Sequence, residues 1–329
     1  MNETIKSSKK NTSEDKSNDL SNLKEILCRT TQEDLNGIFT SHTSTTNFLG
    51  DYVKCHYHFL QCDGNNNPQL ELLVDHLLTQ ITNYAIPRKA IQEAMDLDRS
   101  KNSTVNVTRL AFEAQKLFTT ASTSGEFGEI LLFVLVETFL QIPMLLCKMK
   151  FKTSTNMHVH GADGVHVGVN PDTQKLILYW GESKIYKDIQ AAVTDCVKSI
   201  APQLENYDRK QRELMLIRDN LELNDSILEQ AILSFLIPGS KNFMSVESAG
   251  ICLIGFDYKN ENRSTKTSEA INNGKNIDFD QLWGQKVKNQ IEKYQLENFT
   301  IHFLFVPFPS VAAFRTRMRS KLGLPTIAT

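Results

Sequence analysis

Hydrophobic positions along the chain alternate between two spacings. Residues 56–60, His-Tyr-His-Phe-Leu, read as a strand, whereas Leu72, Leu73, Val74, Leu77, Leu78 and Ile81 recur as on one face of a helix over 70–84. Pro87 fits the first turn of a following helix that runs through Met95. A further helix starts at Ser124, a residue able to cap it, and carries Phe127, Ile130, Leu131, Val134, Leu135 and Thr138 up to Pro143. Residues 144–152 suit a short strand. Val165, Val167 and Val169 then alternate, Asn170-Pro171-Asp172-Thr173 turns, and Lys175 to Trp180 returns, which predicts a β-hairpin. Its second strand runs into Gly181-Glu182-Ser183-Lys184, followed by a helix with Ile189, Val193, Cys196, Val197 and Ile200 on one side. Helical pattern fills 201–241, strands are predicted at 250–256 and 300–306, and helices at 279–296 and 310–322. The succession is that of an α/β protein with a mixed sheet flanked by helices. It divides into a polar tail at 1–19, a mixed α/β N-terminal region at 20–123 and a C-terminal α/β domain at 124–329.

Composition narrows the class. The chain has 329 residues, 40% of them hydrophobic, which is enough for a sizeable core. Residues 1–19 hold too few apolar side chains to offset the entropy of ordering, so the expectation there is disorder. The longest apolar run, 130–136, is stopped by Glu137, far short of the ~20 residues that span a bilayer. The chain opens without a signal-peptide pattern, and its six cysteines form no CxxC pair. The expectation is a cytoplasmic protein with reduced, mostly core cysteines and no membrane contact. With 36 Lys and Arg against 38 Asp and Glu, a net charge of -2 argues against nucleic-acid binding by bulk charge and leaves only local basic patches.

One constellation suggests chemistry. Asp163 opens the first hairpin strand, and Glu182 and Lys184 close the second. In an antiparallel hairpin the start of one strand lies beside the end of the next, so Asp163 and Glu182 are neighbours. Alternation puts Glu182 and Lys184 on one face and Ser183 on the other. Glu126 or Glu129, on the helix packed against the sheet, is within reach of completing an acidic set. Glycines at 161, 164 and 181 flank these acids and permit close backbone approach. Clustered carboxylates repel unless a cation lies between them, and their hard oxygens suit Mg²⁺ or Mn²⁺. A lysine beside them can stabilise phosphate charge or position an attacking water. The chemistry this set serves is metal-assisted phosphodiester hydrolysis. A bare Glu-x-Lys is also a common solvated ion pair on exposed strands and helices.

A helix bearing Glu126 and Glu129, then Asp163, then Glu182-Ser183-Lys184 and an amphipathic helix resembles the PD-(D/E)xK restriction-endonuclease-like core. More narrowly, Gly125-Glu126-Phe127-Gly128-Glu129-Ile130-Leu131-Leu132, His160-Gly161-Ala162-Asp163-Gly164-Val165-His166 and Trp180-Gly181-Glu182-Ser183-Lys184 resemble the HamA family, the nuclease-like subunit of the bacterial Hachiman anti-phage system. The likeness lies mainly in 124–200, with Ala162 where many such nucleases carry proline before the aspartate. It implies a Mg²⁺-dependent (or Mn²⁺-dependent) DNA endonuclease effector held in check by a superfamily 2 helicase, HamB, and released onto DNA on infection. Carried over, Asp163 and Glu182 hold the metal, Lys184 assists the water, and Glu126 or Glu129 completes the set. The competing reading is a non-catalytic interaction module that keeps a degenerate nuclease fold and regulates the helicase. An RNA-directed nuclease is a third.

Other signals are weaker. Arg315 and Arg319 lie one turn apart on the last helix, with Arg317 and Lys321 likewise, and Lys148, Lys150 and Lys152 alternate before the hairpin. Both groups are candidate DNA-phosphate contacts, or else charge at a helix C-terminus and protection of an edge strand. His158 and His160 alternate before Asp163, with His166 after it; two ligands are too few for a closed zinc site, so a structural or substrate-contact role is expected, and His56 and His58, with no acidic partner nearby, are expected in the core or on the surface. No GxxxxGKS loop occurs, so any ATP-driven motor is another polypeptide.

Overall fold

The computed structural model describes residues 20, 23–44, 50, 52–118, 125–146, 149, 161–221, 223–258 and 283–325. Tail 1–19, the Ser124 cap, His158, His160 and the three alternating lysines, Lys148, Lys150 and Lys152, lie outside them. The helices are α1 (Leu23–Leu27), α2 (Leu70–Ala85), α3 (Arg88–Lys101), α4 (Val105–Lys116), α5 (Glu126–Leu135), α6 (Ile189–Glu205), α7 (Tyr207–Asn220), α8 (Ser226–Leu236), α9 (Gln285–Lys293) and α10 (Val311–Lys321). The strands are β1 (Phe39–Thr43), β2 (Val53–Leu60), β3 (Met144–Leu146), β4 (Gly164–Val169), β5 (Leu176–Tyr186), β6 (Glu247–Asp257) and β7 (Ile301–Phe308). They form one mixed sheet in the order β1-β2-β7-β6-β5-β4-β3. The central β2, β7, β6 and β5 are parallel, and antiparallel neighbours finish both sides.

Apolar side chains line both faces. Trp180, Val193, Val197, Ile200, Phe303 and Val287 fill the layer under α6 and α9. Leu73, Leu77, Ile130, Val134, Leu304 and Phe314 fill the layer under α2, α5 and α10. Burial on both faces is why β6 and β7 read as near-continuous apolar runs while hairpin strand β4 alternates. The hairpin and the terminal strands fall where the pattern placed them, and β5 runs on through the glycine as expected: Glu182, Ser183 and Lys184 are strand residues paired with Cys252, Leu253 and Ile254 of β6.

The N-terminal region is built into the same sheet, with β2 pairing in parallel to β7 from Val53↔Ile301 onward.

Two polar features are buried under α5. Glu137, which ended the apolar run, sits on a π-helical turn (Val136–Leu140) with a fully buried side chain. Its carboxylate accepts the N–H groups of Arg29 at 2.8 Å and Met144 at 2.9 Å and lies 3.7 Å from the Arg88 guanidinium. Burial raises this carboxyl, and Arg29 and Arg88 work against the rise. Glu137→Ala strands those donors and the Arg88 charge, so urea unfolding is expected to show a loss of about 3–5 kcal/mol. A loss under about 1 kcal/mol would contradict this role. The second feature is a row of imidazoles. His56 accepts or donates at 3.0 Å to His302, with the rings stacked 5.2 Å apart. His58 bonds the Ser41 hydroxyl at 2.8 Å and stacks on Phe139 at 4.4 Å. His166 bonds the Ile142 carbonyl at 3.2 Å. These histidines are core residues, which for His56 and His58 is one of the two placements expected of imidazoles without an acidic partner.

Candidate metal and phosphodiester site

The site forms where β4 ends and β5 runs on. The last rung of the β4–β5 ladder is Gly164↔Gly181. Asp163, one residue before that rung, donates its N–H to the Gly181 carbonyl at 2.8 Å. Its carboxylate Oδ2 then accepts both the backbone N–H and the hydroxyl of Ser183, each at 2.8 Å. Beyond Gly164 the β5 edge faces a side chain in place of a strand.

Glu182 and Lys184 point to the α6 face. Cys196 of α6 donates its thiol to the Glu182 carbonyl at 3.4 Å, and Ser199, one turn on, hydrogen-bonds the Glu182 carboxylate. The Lys184 ammonium forms an ion pair with that carboxylate. Glu182 is only 6% exposed. Burial, and after it the Asp163 charge, push its carboxyl up to about 7, with Lys184 pulling the other way. Burial alone would lower the Lys184 ammonium, but Glu182 and Asp163 more than reverse this and hold it above its ordinary value. Asp163, Glu182 and Lys184 therefore share one electrostatic site.

The α5 glutamates are placed differently. Gly128 of α5 lies against Ser183, so α5 covers the face opposite to Glu182 and Lys184. Glu129 accepts the Tyr84 hydroxyl at 2.7 Å and so turns to α2, while Glu126 is buried in the first turn of α5.

The basic residues of α10 also separate. Arg315 donates to the Ile185 carbonyl at 2.7 Å and so stands at the end of the site strand. Burial lowers its guanidinium somewhat. Arg319 is corrected as a phosphate contact: it is 2% exposed, and its Nε donates to the Pro325 carbonyl at 2.7 Å. Arg317 and Lys321 pair with Glu71 of α2 at 2.9 and 2.7 Å. The basic run of the last helix is thus largely spent within the fold. Ser183, Cys196 and Ser199 were not among the candidates; alternation put Ser183 on the far face, but not against Asp163.

The donor set fits a divalent cation. Two hard carboxylates act on each other electrostatically, and burial together with the Asp163 charge raises the Glu182 carboxyl. Among the described residues no group of three or more His, Cys, Asp or Glu could enclose a metal. An open site with two carboxylates suits Mg²⁺, which keeps waters and substrate oxygens in its shell.

A seven-stranded mixed sheet with helices on both faces and this carboxylate–lysine set at its hairpin defines a mixed α/β protein with a nuclease-like core. The chain belongs to the HamA family, whose model matches residues 35–322, and the family name makes it a component of the Hachiman defence system. No curated protein matches the sequence. No helix among the described residues is long and apolar enough to cross a membrane.

Proposed function

We propose that this protein is a metal-dependent deoxyribonuclease, the DNA-cleaving effector of an anti-phage complex whose motor is a separate superfamily 2 helicase, HamB. The observation that supports the reading is the convergence of Asp163, Glu182 and Lys184 at the β4–β5 junction. Asp163 and Glu182 are the residues that hold Mg²⁺ or Mn²⁺ in this reading. The bound metal supplies Lewis-acid polarisation of the phosphate and a more acidic water. Lys184, anchored by Glu182, directs its ammonium at the reacting phosphate and stabilises the charge that grows there. Arg315, at the end of β5, is the remaining α10 candidate for a backbone phosphate. In this reading the protein works in the bacterial cytoplasm, where such an effector meets phage DNA.

The near-neutral net charge of -2 gives the chain little bulk attraction for DNA, which suits delivery or restraint by a partner. The assay is cleavage of matched DNA and RNA by the native complex, with Mg²⁺ or with a chelator. Metal-dependent loss of DNA, abolished by Asp163→Ala, is the expected result. Cleavage that persists in Asp163→Ala overturns the site. A complex that binds no divalent metal and leaves DNA intact points instead to the non-catalytic module, and preferential loss of RNA to an RNA-directed nuclease.

A further inference from the structure

Ser183 is the middle residue of Glu-Ser-Lys, and it faces away from Glu182 and Lys184. With β4 ended at Gly164, its N–H is an edge donor without a strand to receive it. Asp163 Oδ2 receives that N–H and the Ser183 hydroxyl together, both at 2.8 Å. Two donors on one oxygen fix the carboxylate in a single orientation and leave Oδ1 as the oxygen for another ligand. The hydroxyl in turn needs space on α5. A Cβ at Gly128 would lie 2.9 Å from Ser183 Oγ and 3.2 Å from its Cβ, closer than side chains pack. Gly128 is the third residue of α5, followed by Glu129, Ile130 and Leu131; glycine gives a helix less support than alanine, so its presence against Ser183 calls for a packing reason.

We propose that Ser183 is the positioning residue of Asp163, and that Gly128 is glycine so that the Ser183 hydroxyl can take that position. The inference rests on the metal-site reading above, which gives Asp163 its task. Groups that orient a metal ligand through a hydrogen bond contribute about 10- to 100-fold to metal affinity. A hydroxyl that only tidied the strand edge would affect stability and not affinity.

The test is direct titration of Mn²⁺ into the full-length protein and its native complex, without DNA, alongside the unfolding midpoint. Ser183→Ala is expected to weaken Mn²⁺ binding by about 10-fold or more. Gly128→Ala should weaken it similarly, since its methyl displaces the hydroxyl. The double variant should be no weaker than either single variant, because one hydroxyl is lost in all three. Unchanged Mn²⁺ affinity in Ser183→Ala, with the wild type binding, overturns this inference and leaves the nuclease reading standing. Additive losses in the double variant overturn the link between Gly128 and Ser183. A wild type that does not bind Mn²⁺ overturns the metal reading, and the inference with it.

Discussion

Lys184→Ala is expected to lower the DNA-cleavage rate of the native complex by at least about 100-fold, the scale of losing one preorganised charge at a reacting group. The Lys184 side chain is only 21% exposed and is held by a Glu182 side chain only 8% exposed. A pair so sheltered from water is oriented before substrate arrives and is little screened by salt. Removing the lysine acts twice. It withdraws the cation from the phosphate, and it leaves Glu182 facing Asp163 with no counter-charge. Glu182→Gln should match it, because the amide carries no charge to hold either lysine or metal. Lys184→Arg keeps the charge but replaces a point ammonium with a planar fork, and recovery should be partial. Steady-state cleavage of a defined duplex measures all three, with thermal unfolding as the control for folding. Rates within about threefold of wild type in both Lys184→Ala and Glu182→Gln would remove these residues from the chemistry.

The second large effect is expected on stability below neutral pH. Burial holds His56 and His166 at about 4 and His58 and His302 at about 3, all below the ordinary 6.5. Charged neighbours add to this: Lys54 beside His56, and His56 beside both His58 and His302. The folded protein therefore keeps these imidazoles neutral where the unfolded chain would protonate them. Above 6.5 neither state takes the proton and stability is unaffected. As the pH falls from 6.5 towards 4 the unfolded chain binds more protons, and stability falls. At pH 5 each imidazole removes up to about 2 kcal/mol. Glu182 and Glu137 run the other way, since burial raises their carboxyls and the folded state protonates first. Four imidazoles against two carboxyls leave a net loss of a few kcal/mol, a large part of a domain's stability of about 5–15 kcal/mol. Urea unfolding at pH 7, 6 and 5 should show the midpoint dropping steeply over that range. A flat midpoint down to pH 5 would contradict the buried neutral histidines.

These features differ in how far the residues announced them. Alternating valines, Asn-Pro-Asp-Thr and the returning apolar run specify the β4–β5 hairpin, because a pleated strand sends successive side chains to opposite faces and a turn needs residues that tolerate it. The same alternation carries Glu182 and Lys184 to one face and Ser183 to the other. The helices of α2, α5 and α6 follow from their apolar spacing. The sequence also marks Glu137 as an odd charge in an apolar run, although not where that charge goes.

What lay beyond sequence reading depends on contacts between residues far apart in the chain. Parallel pairing of β2 with β7 brings Val53 to Ile301, and no local spacing encodes that partner. The partnership of His56 with His302 follows from it. Basic residues on α10 looked like one cluster, yet only packing against α2 and the chain beyond the helix showed Arg317 and Lys321 paired and Arg319 buried. The α5 glutamates were legible as acids on a helix, but the face that helix covers was set by Gly128 meeting Ser183. The sequence by itself determined the order of the main elements from residue 124 onward, the hairpin and the Asp163, Glu182 and Lys184 set, because helix and strand periods are local backbone properties. Only the tertiary structure decided which face each helix covers, which charges are spent internally and what holds Asp163, because those are set by packing between segments that the chain order does not relate.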